Sequence, residues 1–272
     1  GQLTTFENNY SNWLPSFNIA FDASDDVILR AGASRTLTRA NFSQLAAFVS
    51  LTENPNSGNG GNPDLQPIKS TNLDLSAEWY VSEDSLVSVA FFHKNLSTYI
   101  YNQTTDEQHV SLVSGNVETF AVNRPNNGGG GKLNGFELSM QHSFDNGFGI
   151  QANYTYTDSS TEDNLDIPFS SKHVYNITPY YEDDSFSARL TYGYRSKYFR
   201  ATGREGTAIS NDAYKTLDVA LAYHVTEQIS VTAQAQNLLD EMQYHFNNGD
   251  LNQPVNAYKN GRKFFLGVRF AY

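Results

Sequence analysis

The 272-residue sequence predicts an all-β protein, an antiparallel β-barrel whose strands cross a membrane. Three observations carry that reading. Apolar and polar residues alternate with period two over one segment after another, which gives each strand two unlike faces. The connections between these segments are short and long by turns. Aromatic residues make up 14% of the chain, while no apolar run approaches the ~18 residues of a membrane helix. Amphipathic rings suit a wall with one apolar and one wet face better than a dry core.

The first segment, Trp13 to Ala23, puts Phe17, Ile19 and Phe21 opposite Ser16, Asn18 and Ala20; an acidic turn leads to Val27 to Arg35. A long irregular stretch from Thr36 to Lys69 follows. Thr71 to Ser82 alternates cleanly, and after the turn Glu83 to Ser85 the chain returns over Leu86 to Tyr101. The next long connection, Asn102 to Lys132, holds a possible strand extension at Val117 to Val122. Leu133 to Phe144 and Phe148 to Thr157 flank Asp145-Asn146-Gly147, a hairpin signal because Asn-Gly tolerates positive φ. Strands at His173 to Tyr181 and Phe186 to Lys197 come after a loop at Asp158 to Ser171. Tyr214 to Val225 and Gln228 to Gln236 form the next hairpin, between long loops at Tyr198 to Ala213 and Asn237 to Tyr258. The terminal strand alternates Phe264, Leu266, Val268, Phe270 and Tyr272 with Lys263, Phe265, Gly267, Arg269 and Ala271.

That rhythm gives roughly eleven strands of about ten residues, enough to cross an apolar layer. A soluble sandwich has shorter strands and no reason for every second connection to be long. Membrane barrels have short periplasmic turns and long outer loops, so a terminal strand running inward places the short turns in the periplasm. Complete bacterial barrels have an even strand count and no open edge, so the chain is expected to be the carboxyl-terminal part of a larger barrel.

Net charge is −11, which argues against nucleic acid as a partner. There is no cysteine, hence no disulfide, thiolate metal site or thiol catalysis. GQLTTFENNY at the start lacks the basic and apolar regions of a signal peptide.

Several strings resemble the carboxyl half of TonB-dependent outer-membrane receptors. They are Leu14-Pro15-Ser16-Phe17, Ala33-Ser34-Arg35-Thr36-Leu37-Thr38-Arg39, Gly61-Asn62-Pro63-Asp64-Leu65-Gln66-Pro67, Asn134-Gly135-Phe136-Glu137-Leu138, Asn153-Tyr154-Thr155-Tyr156-Thr157 and Asn237-Leu238-Leu239-Asp240, followed by the terminal strand. The resemblance implies half of a barrel of about 22 strands. All 272 residues would then belong to the barrel domain, with the plug domain, its coupling box and the earlier strands lying before Gly1. It also implies an active importer of a scarce nutrient, energised by the TonB complex through the plug. Oligosaccharide is the favoured substrate on this resemblance, with ferric siderophore next. Further expected partners are outer-membrane lipid, lipopolysaccharide and the barrel-assembly machinery. Gly267, Phe270 and Tyr272 resemble that machinery's recognition signal, in which Phe265 stands where a polar residue is usual.

The expected lumen- or plug-facing set is Arg30, Glu78, Glu137, Gln151, Arg189, Arg195, Asp218 and Gln234, joined by Asp74, Asn153, Arg262 and Arg269. Such residues solvate the wall or hold a plug. Substrate contact is expected nearer the outer loops, at Phe42, Phe48, Tyr99, Tyr101, Tyr198, Phe199, Arg200, Tyr244, His245 and Phe246, where rings stand beside hydrogen-bonding groups. The competing explanation is an aromatic girdle, preferred for Tyr154, Tyr156, Tyr192 and Tyr194. The histidines show no metal-ligand spacing, and Glu162, Asp163 and Asp166 lack that of a calcium loop. Gly128 to Gly131 opens no helix and is not a phosphate loop. No cofactor and no catalytic residue is expected. The alternatives are an enzymatic barrel of lipase or protease type, which requires a Ser–His pair on adjacent strands with His142 and His173 as candidates, and a passive porin.

Overall fold

The computed structural model describes residues 9–163, 166–203 and 206–271. Eleven strands form one continuous antiparallel sheet. In sheet order they are β1 (Ser16–Ser24), β2 (Val27–Thr38), β5 (Ile68–Ser82), β6 (Ser85–Leu96), β9 (Gly131–Ser143), β10 (Phe148–Thr161), β11 (His173–Glu182), β12 (Phe186–Arg195), β15 (Tyr214–Thr226), β16 (Ile229–Gln236) and β19 (Lys263–Phe270). The order follows the sequence, so each strand pairs with its successor in the wall. Tight turns join the strands at one end and long connections at the other.

The register explains why the alternation was legible. Phe17 pairs with Ala33, Ala33 with Leu73, and Leu75 with Phe91. The row continues through Phe91–Phe136, Phe136–Tyr156, Tyr192–Leu217, Leu221–Ala233 and Ala233–Leu266. These side chains share one face, and that face is bare: Phe17 is 63% and Leu266 86% exposed. In water it would be an aggregation-prone surface of the largest kind; against lipid it needs no cover. The opposite face is a polar row, with Asn153 beside Asn176, Gln141 beside Gln151 and Thr191 beside Asp218.

Small residues on the polar face make room for large ones. A side chain at Gly149 would sit 2.1 Å from the Tyr180 ring that crosses it. At the 145–147 turn only Gly147 takes positive φ, and its N–H donates to the Phe144 carbonyl at 3.1 Å. The connection is therefore a three-residue turn closing on a left-handed glycine, with Gly147 and not Asn146 using the positive φ that the Asn-Gly pair tolerates.

The long connections are less irregular than the sequence suggests. They carry eight strands of a second sheet: β3 (Val49–Glu53), β4 (Asn56–Gly60), β7 (Ile100–Val110), β8 (Val117–Asn127), β13 (Tyr198–Thr202), β14 (Ala208–Asn211), β17 (Met242–Asn247) and β18 (Pro254–Lys259). One short helix, α1 (Phe42–Leu45), begins beside Asn41. The expected Leu86 to Tyr101 strand is broken: β6 ends at Leu96 and β7 leaves the wall at Ile100. The buried apolar residues lie in this cap and the adjoining loops: Leu65, Tyr99, Phe120, Val122, Ile167, Phe199 and Phe246. A wall facing lipid has no dry interior of its own, so the conventional core sits at its mouth.

Candidate functional site

The cap sheet draws four of the long connections together. β7 and β8 form a hairpin, β4 pairs in parallel with β8, and β13 meets β7 in parallel at Thr202 and Gln103. β14 pairs with β17 at Ser210–Phe246 and Asn211–His245. The fifth connection is fastened by the Phe169 N–H donating to the Phe199 carbonyl at 2.8 Å and by the Arg195 guanidinium donating to the Phe169 carbonyl at 2.5 Å.

Charged groups lock this cap internally. Arg124 donates to both oxygens of Glu107, at 2.7 and 3.0 Å, and to the carbonyl of Gly61 at 2.5 Å. His109 stands 2.9 Å from the same carboxylate. The Arg124 hydrogen bond, helped by His109 against the opposing effect of burial, holds the Glu107 carboxyl below its usual range. Asp163 accepts from the Gly129 N–H at 2.6 Å and from the Tyr99 hydroxyl at 3.2 Å, while Glu162 accepts from the Gly130 N–H at 3.2 Å. The glycine run thus binds the chain's own carboxylates. Among the described residues no group of three or more His, Asp or Glu stands close enough to hold a metal ion.

The expected substrate-contact residues divide. Phe42 is 93% exposed on α1, and Phe48 is exposed beside the Arg124 network. Tyr99, Phe199, His245 and Phe246 are buried. Burial, then the nearby Asp163 charge, pushes the Tyr99 hydroxyl up to about 12. Tyr101 donates to Gln103 at 3.2 Å, and Tyr244 to the Leu251 carbonyl at 2.7 Å. Arg200 approaches His245 Nδ1 at 3.0 Å. A guanidinium only donates, so that nitrogen accepts and the ring is neutral. Burial, then the Arg200 charge, lowers the His245 pKa accordingly.

Three of the expected residues meet in one place. Tyr198, Phe199 and Phe246 line a cavity of about 430 Å³ between the loop ends of β10 to β12 and strands β13, β14 and β17. Lys197, the residue before Tyr198, lines it as well, and so do Lys172 and Asp166, which no spacing in the sequence signals because only the fold brings their loop near. The Arg195 guanidinium lies 4.0 Å from the Tyr198 ring centre, fixing its plane. The cavity offers two ammonium groups set beside the carboxylates of Asp158 and Asp166, together with hydroxyls and flat rings, the inventory for a polar and partly aromatic ligand.

On the polar face of the wall, Arg30 grips Glu78 at 2.9 and 3.3 Å, and the Tyr80 hydroxyl donates to the same carboxylate at 3.1 Å. Arg189 meets Glu182 at 3.2 Å, and Asp218 accepts from the Asn237 N–H at 2.8 Å. Arg195 instead serves the loops, donating to Ser171 Oγ at 2.7 Å. Arg30 and Glu137 line a concavity of about 700 Å³ with Asp74 and Lys94. Glu137, Gln151 and Gln234 make no side-chain hydrogen bond among the described residues and stand on the polar row opposite Thr155, Gln141 and Phe265. Arg262 lies before β19 and donates to the Leu238 carbonyl at 2.9 Å. Gly267 and Phe270 stand on β19 opposite Thr232 and Ile229; Tyr272 lies outside the described residues.

A Ser–His pair on adjacent strands is present: Ser85 Oγ stands 2.7 Å from His142 Nδ1. Ser85 is only 3% exposed, and His142 has no carboxylate partner among the described residues. A nucleophile must be reachable and its base oriented, and this pair meets neither condition. His173 contacts the Tyr154 hydroxyl at 2.9 Å instead.

A family model described as TonB dependent receptor-like, beta-barrel, matches residues 1–238. The probable TonB-dependent siderophore receptor PirA of Acinetobacter baumannii is 24% identical over 96% of this chain and 39% of its own length. An iron-regulated outer membrane virulence protein of Vibrio cholerae is 24% identical over 78% of this chain and 32% of its own. Among solved structures, the ferric enterobactin receptor of Pseudomonas aeruginosa superposes with a TM-score of 0.69 at 18% identity, over 96% of this chain and 40% of that one. The chain therefore spans well under half the length of these relatives. Their names speak of iron and siderophores, and the expected preference for oligosaccharide finds no support in them.

Proposed function

The chain belongs to the TonB-dependent receptor-like β-barrel family, and from that premise we propose that it forms the carboxyl-terminal half of the barrel of an outer-membrane receptor importing a ferric siderophore. Barrels of this family lie in the bacterial outer membrane. On this reading the plug and the earlier strands precede Gly1, the plug couples to the TonB complex, and β19 engages the barrel-assembly machinery. The bare apolar face meets lipid, including lipopolysaccharide.

The observation that carries the substrate reading is the cavity at Tyr198, Phe199 and Phe246 under a cap knit from separate loops, in a chain whose relatives are named siderophore receptors. Ferric chelates of catecholate type are anionic and present flat rings. Lys197 and Lys172 supply the opposite charge, set beside Asp158 and Asp166, and Tyr198 supplies a fixed ring. The deciding experiment uses the full-length receptor in a host lacking its own siderophore receptors. Growth on ferric catecholate chelates is expected, and Lys197→Ala with Tyr198→Ala is expected to weaken chelate binding at least tenfold. Growth on oligosaccharides alone, or unchanged chelate binding in the double variant, overturns the reading.

A further inference from the structure

The outer, apolar face carries its cations at one height, the loop end of the strands. By register, Arg35 continues the row of Ala31 and Ala33 on β2, opposite Thr71, and Lys69 pairs with Leu37 in the same row. Lys132 on β9 stands opposite Asn95 and Ser160, and Lys215 on β15 opposite Tyr194, again with the apolar parity. All four lie at the loop end of their strands. Every other lysine or arginine within the wall strands has the opposite parity and faces the polar side: Arg30, Lys94, Arg189, Arg195, Lys263 and Arg269. In a chain of net charge −11, whose short turns are acidic, this rim stands out. The one acid in the row is Asp158, opposite Asn134.

Two of these cations share a cavity. Arg35 and Lys69 line a hollow of about 410 Å³ on the loop ends of β2, β5 and β6, closed on one side by Ser11 to Leu14. Trp13, 80% exposed, and Asn95 line it too. Neither the Arg35 guanidinium nor the Lys69 ammonium makes a side-chain hydrogen bond or ion pair among the described residues. Directly below, toward the turns, the same face is Leu73, Phe91 and Leu75, all bare. A cationic hollow with an indole at its edge, standing over an apolar band, matches an amphiphile with an anionic head and acyl chains.

We infer that the hollow at Arg35 and Lys69 binds the phosphorylated sugar head of an outer-leaflet glycolipid, with its acyl chains lying along the apolar band below. The inference rests on the outer-membrane reading and adds a specific lipid site to it. Lipid phosphates are doubly recognised there: Arg35 offers a planar fork, Lys69 a compact point charge, and Asn95 can donate to sugar hydroxyls. A phosphodiester diacyl lipid presents one charge to the two cations, whereas a head bearing phosphate monoesters presents more, and so is preferred.

The test uses the full-length receptor purified in detergent, stripped of lipid, with Arg35→Gln/Lys69→Gln as the variant. The probes are purified lipopolysaccharide, the same material after enzymatic dephosphorylation, phosphatidylglycerol, and inorganic phosphate. Lipopolysaccharide is expected to bind the wild type and to bind the double variant about thirtyfold more weakly, the effect of losing two surface cations near an anionic lipid. Dephosphorylated material is expected to bind the wild type as weakly as intact material binds the variant. Equal binding to wild type and variant overturns the site. Equal affinity for phosphatidylglycerol, or competition by inorganic phosphate at similar concentration, overturns the choice of glycolipid. Ferric chelate binding and the heat-modifiable mobility of a folded barrel are read on the same samples. If both persist while glycolipid discrimination fails, the lipid site alone falls; if chelate binding is absent from the wild type, the receptor reading falls independently.

Discussion

Glu107→Gln should loosen the cap while leaving the wall intact. The Glu107 carboxylate takes two hydrogen bonds from Arg124, at 2.7 and 3.0 Å, and its side chain is 24% exposed against 25% for Arg124. Charge-assisted hydrogen bonds contribute ~1.5–3 kcal/mol each when shielded, and exposure reduces that, so neutralising the carboxylate should cost about 2 kcal/mol of local stability. Arg124 also donates to the carbonyls of Gly61 and Phe48, so the β2–β5 connection should loosen with the β7–β8 hairpin. Hydrogen exchange followed by mass spectrometry reads the effect directly. Amides in β7 and β8 should exchange roughly thirtyfold faster in the variant, and those in β9 and β10 at an unchanged rate. Exchange within threefold of wild type in β7 and β8 would refute the assignment of this pair as the lock. The pH dependence gives a second reading. Because the folded carboxyl titrates below its ordinary value of 4.5, the stabilisation is complete above that value and is lost as pH falls below it through the folded pKa. Pepsin cleavage at the Ser111–Asn116 turn should therefore rise in that window for wild type and vary less in the variant.

His245 gives the opposite end of the cap its own pH response: with its pKa lowered by burial and then by Arg200, the neutral ring favours the folded loop above the ordinary 6.5, and that contribution declines as pH falls below it. Proteolysis near β17 should increase over this range, and His245→Gln should flatten the profile. Phe246→Ala, at a residue 2% exposed, should cost about 3–4 kcal/mol of local packing and expose β14 and β17 to exchange, so loss of chelate binding in that variant is expected together with loss of protection. Gly149→Val should displace the Tyr180 ring, which stands 2.1 Å from the site of the added carbon, and lower the fraction of heat-modifiable barrel; combining it with Tyr180→Ala should restore part of that fraction.

The wall was legible because lipid imposes a rule on every strand that crosses it. Each backbone group must pair laterally and each alternate side chain must be apolar, so Phe17, Leu75, Phe91, Leu138, Leu190 and Leu266 announce their face without knowledge of their neighbours. The cap obeys no such rule. β4 is Asn-Ser-Gly-Asn-Gly and reads as a loop, yet it pairs with β8 because Arg124 and Val122 bring that partner alongside. Its strands exist by tertiary contact, and local sequence carries little of that.

The same contrast governs the site. Of the rings expected near the loops, Tyr198, Phe199 and Phe246 line one cavity, but a ring in a loop can serve the cap or a ligand, and Tyr99 and His245 are enclosed by the cap's own hydrogen bonds. Charge was the missing half of the signal. Lys197 directly precedes Tyr198, whereas Lys172 is spaced like any surface lysine in sequence, and only the folded loops bring it beside the same rings. On the wall, by contrast, parity alone separates Arg35 and Lys69 from Arg30 and Lys94. Arg35 and Lys69 keep the apolar parity at the outer ends of their strands, exposed and with no carboxylate partner among the described residues. On the inference drawn above their partner comes from the membrane, and the glycolipid experiment asks for that partner by its phosphate.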